Sequence, residues 1–315
     1  MVEKIVSALR KSFLLVFFRN FWLFWAALAY SFLSLVLILG ATALPVVYWV
    51  LTGGHFDPAL LFSRPLEFIV SHRLLIIYAL AGYTVGFILF LLVWLFFHAA
   101  LTAVVTRAVE GLRDGGTGRV EPGEFLRGGR RLMAGSTGTA ALAGLLPLPA
   151  FVVLLAVAVV LLIRLAVDPG LLVPPFSGGL VLLAAAGVLS LLATVLLTVL
   201  AVLWYRYALC AVCADSLGVA RAMRASLRFF FRCWHGVLGL VLASILIGLA
   251  LSGLTLPVSY GIKLLGDFSR ILEIMLVLPG GLLSVAVGVG SELWVKSALV
   301  AFYLDTRQPQ DLPPA

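Results

Sequence analysis

Four ionisable side chains lie within or near the ends of long apolar runs in this 315-residue sequence: His98, Arg206, Glu292 and Lys296. Ionisable residues inside membrane-crossing segments are rare and commonly mark transport paths. Glu292 and Lys296 are four residues apart, in the order that favours an ion pair on one helix face. Two interpretations stay open. The four residues line a transport path, or they form a structural ion pair, a cation that reaches the membrane surface and a hydrogen-bonded packing histidine.

A stripe of arginines marks the segment 215–232. At about 100° per residue, side chains spaced by three, four and four positions fall within a narrow sector of a helix. Such a stripe is suited to binding anions such as lipid phosphates. The residues are Arg221, Arg224, Arg228 and Arg232.

The opposite face of the same segment is apolar, and Asp215 or Ser216 is expected to cap the helix N-terminus. An apolar face opposed by an arginine stripe is typical of a helix that lies in the headgroup plane of a membrane. The apolar residues on that face are Val219, Met223, Leu227 and Phe230.

Two further segments have the same character, one at the N-terminus and one in the middle of the chain. Each basic side chain near an anionic surface contributes about 1 kcal/mol to binding. These helices therefore anchor the chain and fix its topology, or they dock lipid phosphates or an acidic membrane-protein partner. Their basic residues are Arg10 and Lys11 in the first segment, and Arg127, Arg130 and Arg131 in the second.

Residue patterns that support enzyme catalysis are missing from the sequence. It has no His-x-x-x-His pair, phosphate-binding glycine loop or Gly-x-Ser-x-Gly elbow. Cys210 and Cys213 have the spacing of a redox or metal pair, but they lack nearby histidines and are expected to pack inertly. The predicted outer loop 51–73 is too short for a domain, and a metal site there is only a minor alternative, although it contains His55, Asp57, Glu67 and His72. We therefore expect no catalytic residue, no metal and no cofactor.

The composition shows what must position these side chains. The chain is 63% apolar and 11% charged, with a mean hydropathy of +1.17. Soluble domains contain about 25% charged residues, so a soluble enzyme, a disordered chain and a nucleic-acid-binding domain are excluded. The net charge of +8 indicates anionic lipid rather than nucleic acid as the partner.

Six apolar stretches exceed the ~20 residues needed to cross a bilayer. The sequence thus predicts an all-α polytopic membrane protein with six spans and both termini on one side. On that side lie seventeen of the 22 Lys and Arg residues, which predicts cytoplasmic termini and an inner-membrane location. The predicted spans lie near 21–50, 74–106, 137–167, 178–209, 235–262 and 272–303.

The single membrane domain contains a threefold internal repeat: a basic interfacial helix followed by two spans. Each second span ends in a similar tetrapeptide, beginning at Ala100, Ala208 and Ala298. The predicted units are 1–107, 108–213 and 214–305, followed by a disordered tail over 306–315. Units of equal orientation are related by an axis along the membrane normal. They enclose a central cavity or form a packed bundle.

Small residues recur every four positions in two predicted spans. This pattern is typical of close contact between transmembrane helices. The residues are Ser244, Gly248 and Ser252 in one span, and Gly280, Ser284 and Gly288 in the next.

The segment from Ala214 to Leu227, followed by Trp234 and Gly236 at the opening of a span, resembles a known pattern. It is similar to the six-span membrane domain of some bacterial glycerophosphoryl diester phosphodiesterases and to related uncharacterised bacterial membrane proteins. The resemblance implies an all-helical integral membrane protein of a bacterium. It carries no activity, because the phosphodiesterase is a separate soluble barrel and Leu74 follows His72-Arg73 where that family's catalytic motif has glycine.

Two functions are compatible with these observations. The first is a non-enzymatic inner-membrane protein that interacts with anionic lipid or a membrane partner and handles an amphiphilic cargo. The second is a secondary transporter whose path follows the pseudo-threefold axis. The sequence does not specify the oligomeric state or the cargo.

Overall fold

Long apolar segments form helices in a membrane because a helix satisfies its backbone hydrogen bonds internally. The computed structural model describes residues 1–51, 73–167, 178–268 and 270–307, and within these ranges the chain is helical without β-strands. The predicted all-α class is confirmed. The helices are α1 (Val2–Phe13), a π-helical segment (Leu14–Arg19), α2 (Trp22–Leu51), α3 (Arg73–Arg113), α4 (Pro122–Gly144), α5 (Leu148–Val167), α6 (Gly178–Ala214), α7 (Val219–Phe268) and α8 (Arg270–Thr306).

Among the described residues, five helices are long and apolar enough to cross a membrane: α2, α3, α6, α7 and α8. The predicted third span, 137–167, is divided between α4 and α5, which meet at an angle of 51°. The chain bends there because Pro147 has no backbone N–H and cannot continue the helical hydrogen-bond ladder. The described part of the chain thus has five such helices, or six if the bent pair counts as one span.

The apolar helices pack as sequential pairs, α2 with α3, α5 with α6 and α7 with α8. The first pair is in close contact at a glycine. A Cβ atom at Gly86 would lie 2.2 Å from the Cβ of Ala41. A second close approach joins α4 to α3, where a Cβ at Gly128 would lie 2.5 Å from the Cβ of Ala103.

The predicted small-residue contacts in α7 and α8 are wrong at Gly248 and Gly288. An added Cβ at either position meets no described atom within 4 Å. Small residues allow close approach only where the helix face turns toward a neighbour, and these faces do not. Gly248 instead lines a groove between α6, α7 and α8.

The buried side chains concentrate at one end of the bundle, here called the basal end: residues 95–113 of α3, 201–214 of α6 and 289–306 of α8. The opposite, distal halves of these helices expose apolar side chains; Leu182, for example, is 73% exposed. Such a surface is stable in hydrocarbon and costly in water. The basal end is therefore a packed core, and the distal halves have the apolar surface of membrane-spanning helices.

Three helices form a ring around the basal end. α1 packs on α8, α4 packs on α3, and the first part of α7 packs on α6. Each therefore contacts the second helix of a pair other than the one it precedes in the chain. Because α1 contacts α8, the ring is closed by the two ends of the sequence.

A kink at Cys233 (φ −107°, ψ 19°) separates the first part of α7 from its apolar continuation. α7 begins at Val219 rather than at 215. Its first α-helical hydrogen bond runs from Ala222 N–H to Gly218 C=O, 2.9 Å. The predicted cap at Asp215 or Ser216 is therefore wrong: Ser216 has a positive φ of 51°, and Asp215 serves another contact described below.

Candidate functional site

Three basic residues occupy matching positions on the second helices of the three pairs. His98 on α3, Arg206 on α6 and Lys296 on α8 each stand two residues before the first alanine of the repeated tetrapeptides. Those alanines, Ala100, Ala208 and Ala298, are fully buried. All three alanines lie in the buried basal end, so the residues two positions before them lie near it as well. The match between His98 and the other two was missed in the sequence, although the tetrapeptide register contains it.

The three basic side chains line one cavity between α3, α6 and α8. It offers ≈ 20 Å³ to the centre of a water-sized molecule. This exceeds the roughly 10–15 Å³ that one water requires. The lining residues are His98, Leu101, Thr102, Arg206, Tyr207, Leu209, Cys210, Lys296, Leu299 and Val300.

His98 is oriented by its own helix and by an aromatic neighbour. Its Nδ1 lies 2.8 Å from the Trp94 carbonyl oxygen, and since a carbonyl only accepts, Nδ1 carries the proton. The Trp94 ring lies 4.3 Å from the imidazole, between centroids. The Nε2 atom is buried without a hydrogen-bond partner among the described residues. His98 therefore has one nitrogen satisfied and one free.

Lys296 is only 6% exposed, and it forms an ion pair with Glu292. Its Nζ also lies over two stacked rings, 5.9 Å from the Tyr30 centroid and 5.4 Å from that of Phe97. Such cation–π contacts favour a partly desolvated ammonium. The Glu292 side chain is 56% exposed, so the pair joins the buried site to the surface.

Arg206 links the cavity to a second space. Its Nε atom is buried without a hydrogen-bond partner in the described structure. Arg206 and Leu299 line both the cavity and a neighbouring groove of ≈ 330 Å³. The groove is lined by Leu203, Arg206, Val241, Ser244, Ile245, Gly248, Ser291, Glu292, Val295 and Leu299. The structure thus places three path candidates in the cavity and the fourth, Glu292, in the groove beside Arg206.

The arginines of the ring helices lie on the outer surface. Some are engaged by the protein: Arg127 bonds Glu124 at 3.1 Å, and Arg232 donates to the Thr306 carbonyl at 2.9 Å. Lys11 pairs with Asp305 at 2.7 Å. Part of the positive charge of the three ring helices is therefore neutralised within the protein. The exposed arginines are Arg10, Arg127, Arg130, Arg131, Arg221, Arg224, Arg228 and Arg232.

The apolar face predicted for the first part of α7 does not all face lipid. Met223 is 4% exposed and packs against the core, while Leu227 is exposed. A third face, which the sequence reasoning did not separate, packs against the protein through Ala222, Ala225, Ser226 and Phe229. This helix therefore has a protein face, an apolar exposed face and an arginine face.

Asp215 and Asp305, each seven residues after the first alanine of a tetrapeptide, connect the elements of the basal end, a role that the sequence analysis did not predict for either. Asp215 accepts a hydrogen bond from Tyr303 Oη at 3.0 Å and pairs with Arg307. Asp305 pairs with Lys11 at 2.7 Å and with Arg113 at 2.9 Å. These bonds connect α1, α3 and α8. They also hold Arg307 in place, although the sequence predicted a disordered tail from residue 306 onward.

The three cysteines are free thiols, with Cys210 and Cys233 buried and Cys213 partly exposed. No group of three or more His, Cys, Asp or Glu side chains within the described ranges is arranged to hold a metal ion. The polar residues of 52–72 and the tail 308–315 lie outside the described residues. What the site offers chemically is positive charge and hydrogen-bond donors, without a nucleophile held by a base.

No family model, curated protein or solved structure matches this chain.

Proposed function

We propose that this protein is a non-enzymatic, multi-pass protein of the bacterial inner membrane that binds anionic lipid and handles an anionic amphiphile. The observation that carries the proposal is the ring of interfacial helices at the basal end, whose arginines face outward. Arg221, Arg224 and Arg228 form one exposed row beside the exposed apolar residue Leu227. A lipid phosphate beside its acyl chains presents the complementary pattern.

The proposal includes six spans and three repeat units, 1–107, 108–213 and 214–305. Matching hydrogen bonds support the repeat. Trp204 Nε1 donates to the Met223 carbonyl at 3.0 Å, and Trp294 Nε1 donates to the Leu9 carbonyl at 2.8 Å. Ser226 and Ser12 each donate to the same carbonyls, both at 2.9 Å.

Both termini are proposed to be cytoplasmic. The support is the charge distribution, since the basal end holds the ring arginines and basic residues near that end of a span remain in the cytoplasm. A fluorescent protein that folds only in the cytoplasm, fused after Ala315, is expected to fluoresce. A fusion that is dark, while an alkaline phosphatase fusion at the same site is active, would reverse the topology.

Anionic lipid preference tests the main proposal. The full chain would be placed in nanodiscs of phosphatidylcholine and phosphatidylglycerol, and the lipids retained in native mass spectrometry counted. Wild type is expected to retain phosphatidylglycerol preferentially. The double variant Arg224→Glu/Arg228→Glu is expected to lose that preference, because each reversal replaces attraction by repulsion.

A matched control reverses two arginines of the distal end. Arg73→Glu/Arg164→Glu changes the net charge equally and alters exposed side chains, so it is expected to keep the wild-type preference. An equal loss in both variants would mean that net charge, not the arginine row, selects the lipid. Retention of a second protein instead of lipid would favour a membrane-protein partner.

Secondary transport along the pseudo-threefold axis is the second candidate. The observation that favours it is the shared cavity of His98, Arg206 and Lys296, with Arg206 also lining the groove. Single cysteines at 98, 206 and 296, in a chain whose native cysteines are replaced by alanine, would be labelled with an impermeant thiol reagent from each side. Transport predicts labelling from both sides. Labelling from one side alone would leave lipid binding as the better account.

A further inference from the structure

We propose that the central cavity is an oxyanion site, in which Arg206, Lys296 and Tyr207 hold an oxygen of a phosphate or carboxylate group. This deepens the proposed function by naming the group of the amphiphile that is recognised, and it rests on that function only for the amphiphilic part of the ligand. The surface arginines and the cavity are separate features, so an experiment can contradict the proposal for one of them and leave the other intact.

Unsatisfied donors around the cavity are the first argument. Most buried polar groups in proteins have a hydrogen-bond partner. Here the Arg206 Nε and the Tyr207 hydroxyl are buried without a partner among the described residues, and both residues line the same cavity. Leaving either donor unpaired costs free energy. One bound oxygen of an anionic group would accept hydrogen bonds from both.

Charge is the second argument. The cavity is lined by two permanent cations and a histidine, and none of its ten lining residues is acidic. Glu292 lies outside the cavity, pairs with Lys296 and lines the groove beside Arg206, so a single carboxylate stands against two cations. A buried cation without a counter-ion is unfavourable, and a guanidinium binds carboxylate and phosphate oxygens in a fixed planar geometry. An anionic ligand would supply the missing charge.

Size and access define the ligand further. The cavity of ≈ 20 Å³ is little larger than the space that one water needs, so it takes a single oxygen of an anionic group. The neighbouring groove of ≈ 330 Å³ shares Arg206 and Leu299 with it and combines apolar residues with Ser244 and Ser291. The remainder of an amphiphile would lie in the groove, whose small residues leave space instead of packing.

Binding of two probes tests the site: inorganic phosphate, and phosphatidic acid in phosphatidylcholine nanodiscs. Calorimetry of the full chain is expected to show binding that Arg206→Gln weakens about tenfold or more, as for other buried charge pairs. Phosphate binding alone would identify a free anion as the ligand. Phosphatidic acid binding alone would identify a lipid headgroup. Unchanged binding of both probes in Arg206→Gln, or binding of neither to wild type, would overturn the proposal.

Two controls separate this result from misfolding and from the surface arginines. Arg119→Gln removes an equal charge from an exposed loop position and is expected to bind like wild type. Arg224→Glu/Arg228→Glu is expected to lose its phosphatidylglycerol preference and keep phosphate binding. If Arg206→Gln keeps the phosphatidylglycerol preference while losing phosphate binding, the surface and the cavity are independent sites.

Thr102→Asp provides a test that does not depend on removing a buried charge. Thr102 is 7% exposed and lines the cavity, so an aspartate there would place a carboxylate beside the cations. It is expected to abolish phosphate binding and to raise the thermal unfolding midpoint, because the protein would then carry its own anion. A lowered midpoint with phosphate binding retained would contradict the site.

Discussion

The indole of Trp294 donates a 2.8 Å hydrogen bond to the carbonyl of Leu9, 285 residues earlier in the chain. The bond joins α8 to α1 and closes the ring of interfacial helices. Its counterpart, from Trp204 to Met223, joins α6 to α7. The same donor and the same carbonyl position thus recur at Trp204 and Trp294, and each indole joins its helix to the helix that packs on it.

Trp294→Phe is expected to destabilise the protein by roughly 0.5–1.5 kcal/mol, the net contribution of one hydrogen bond. The phenyl ring of the new side chain would still pack against Phe13, and the Leu9 carbonyl would still accept a hydrogen bond from Ser12. The loss of stability should therefore not exceed this range. The free energy of unfolding in mixed micelles measures it. Trp25→Phe, at an exposed position, is the control. Equal stabilities of the two variants would show that the indole N–H contributes nothing.

Asp305→Asn is expected to loosen α1 from the basal end. It removes the charge that pairs with Lys11 and Arg113, whose side chains are 41% and 39% exposed. Because solvent screens such pairs, the expected cost is about 1 kcal/mol and shrinks at high salt. Limited proteolysis of α1 at low and high salt gives the readout. The control Asp114→Asn, at an exposed loop position, should leave the cleavage of α1 unchanged. If both variants were cleaved equally, the ion pairs of Asp305 would not be what holds α1.

Gly86→Val is expected to push α2 and α3 apart. The added side chain would start 2.2 Å from the Ala41 Cβ, and overpacking of this kind costs about 1–3 kcal/mol. Gly253→Val is the matched control, because no described atom lies within 4 Å of its Cβ position. The measurement is the thermal unfolding midpoint of each variant, which is expected to be lower for Gly86→Val than for Gly253→Val. A midpoint for Gly86→Val at or above that of Gly253→Val would mean that the helix pair adapts.

The three thiols are expected to differ in reactivity. Cys210 and Cys233 are 2% and 6% exposed, respectively, whereas Cys213 is partly exposed. Maleimide labelling of the native protein, counted by intact mass, should therefore stop at one thiol, and the denatured protein should accept three. Rapid labelling of Cys210 in the native state would indicate that the central cavity opens readily to the reagent.

Local patterns in the sequence predicted the helices well and their partners poorly. The apolar runs determined the helix class because hydrophobicity over about twenty residues is a property of each segment alone. The sequence grouped His98 with Arg206, Glu292 and Lys296 as candidate residues of one transport path, but it was not noticed that His98 shares the tetrapeptide register of Arg206 and Lys296. The contacts expected at Gly248 failed because the face that a helix turns to its neighbour depends on the tertiary packing. The same holds for Met223, which packs on the protein rather than on lipid.

The closure of the ring by α1 and α8 determines how the protein can be made. α4 and the first part of α7 follow their partners α3 and α6 in the chain, so each can dock as soon as the ribosome has produced it. α1 cannot, since Trp294 is synthesised 285 residues after Leu9, a delay of about 15–60 s at roughly 5–20 residues per second. During that interval α1 lacks the helix with which it makes its largest contact. Synthesis of α8, rather than insertion of an earlier helix, is then the event that closes the ring.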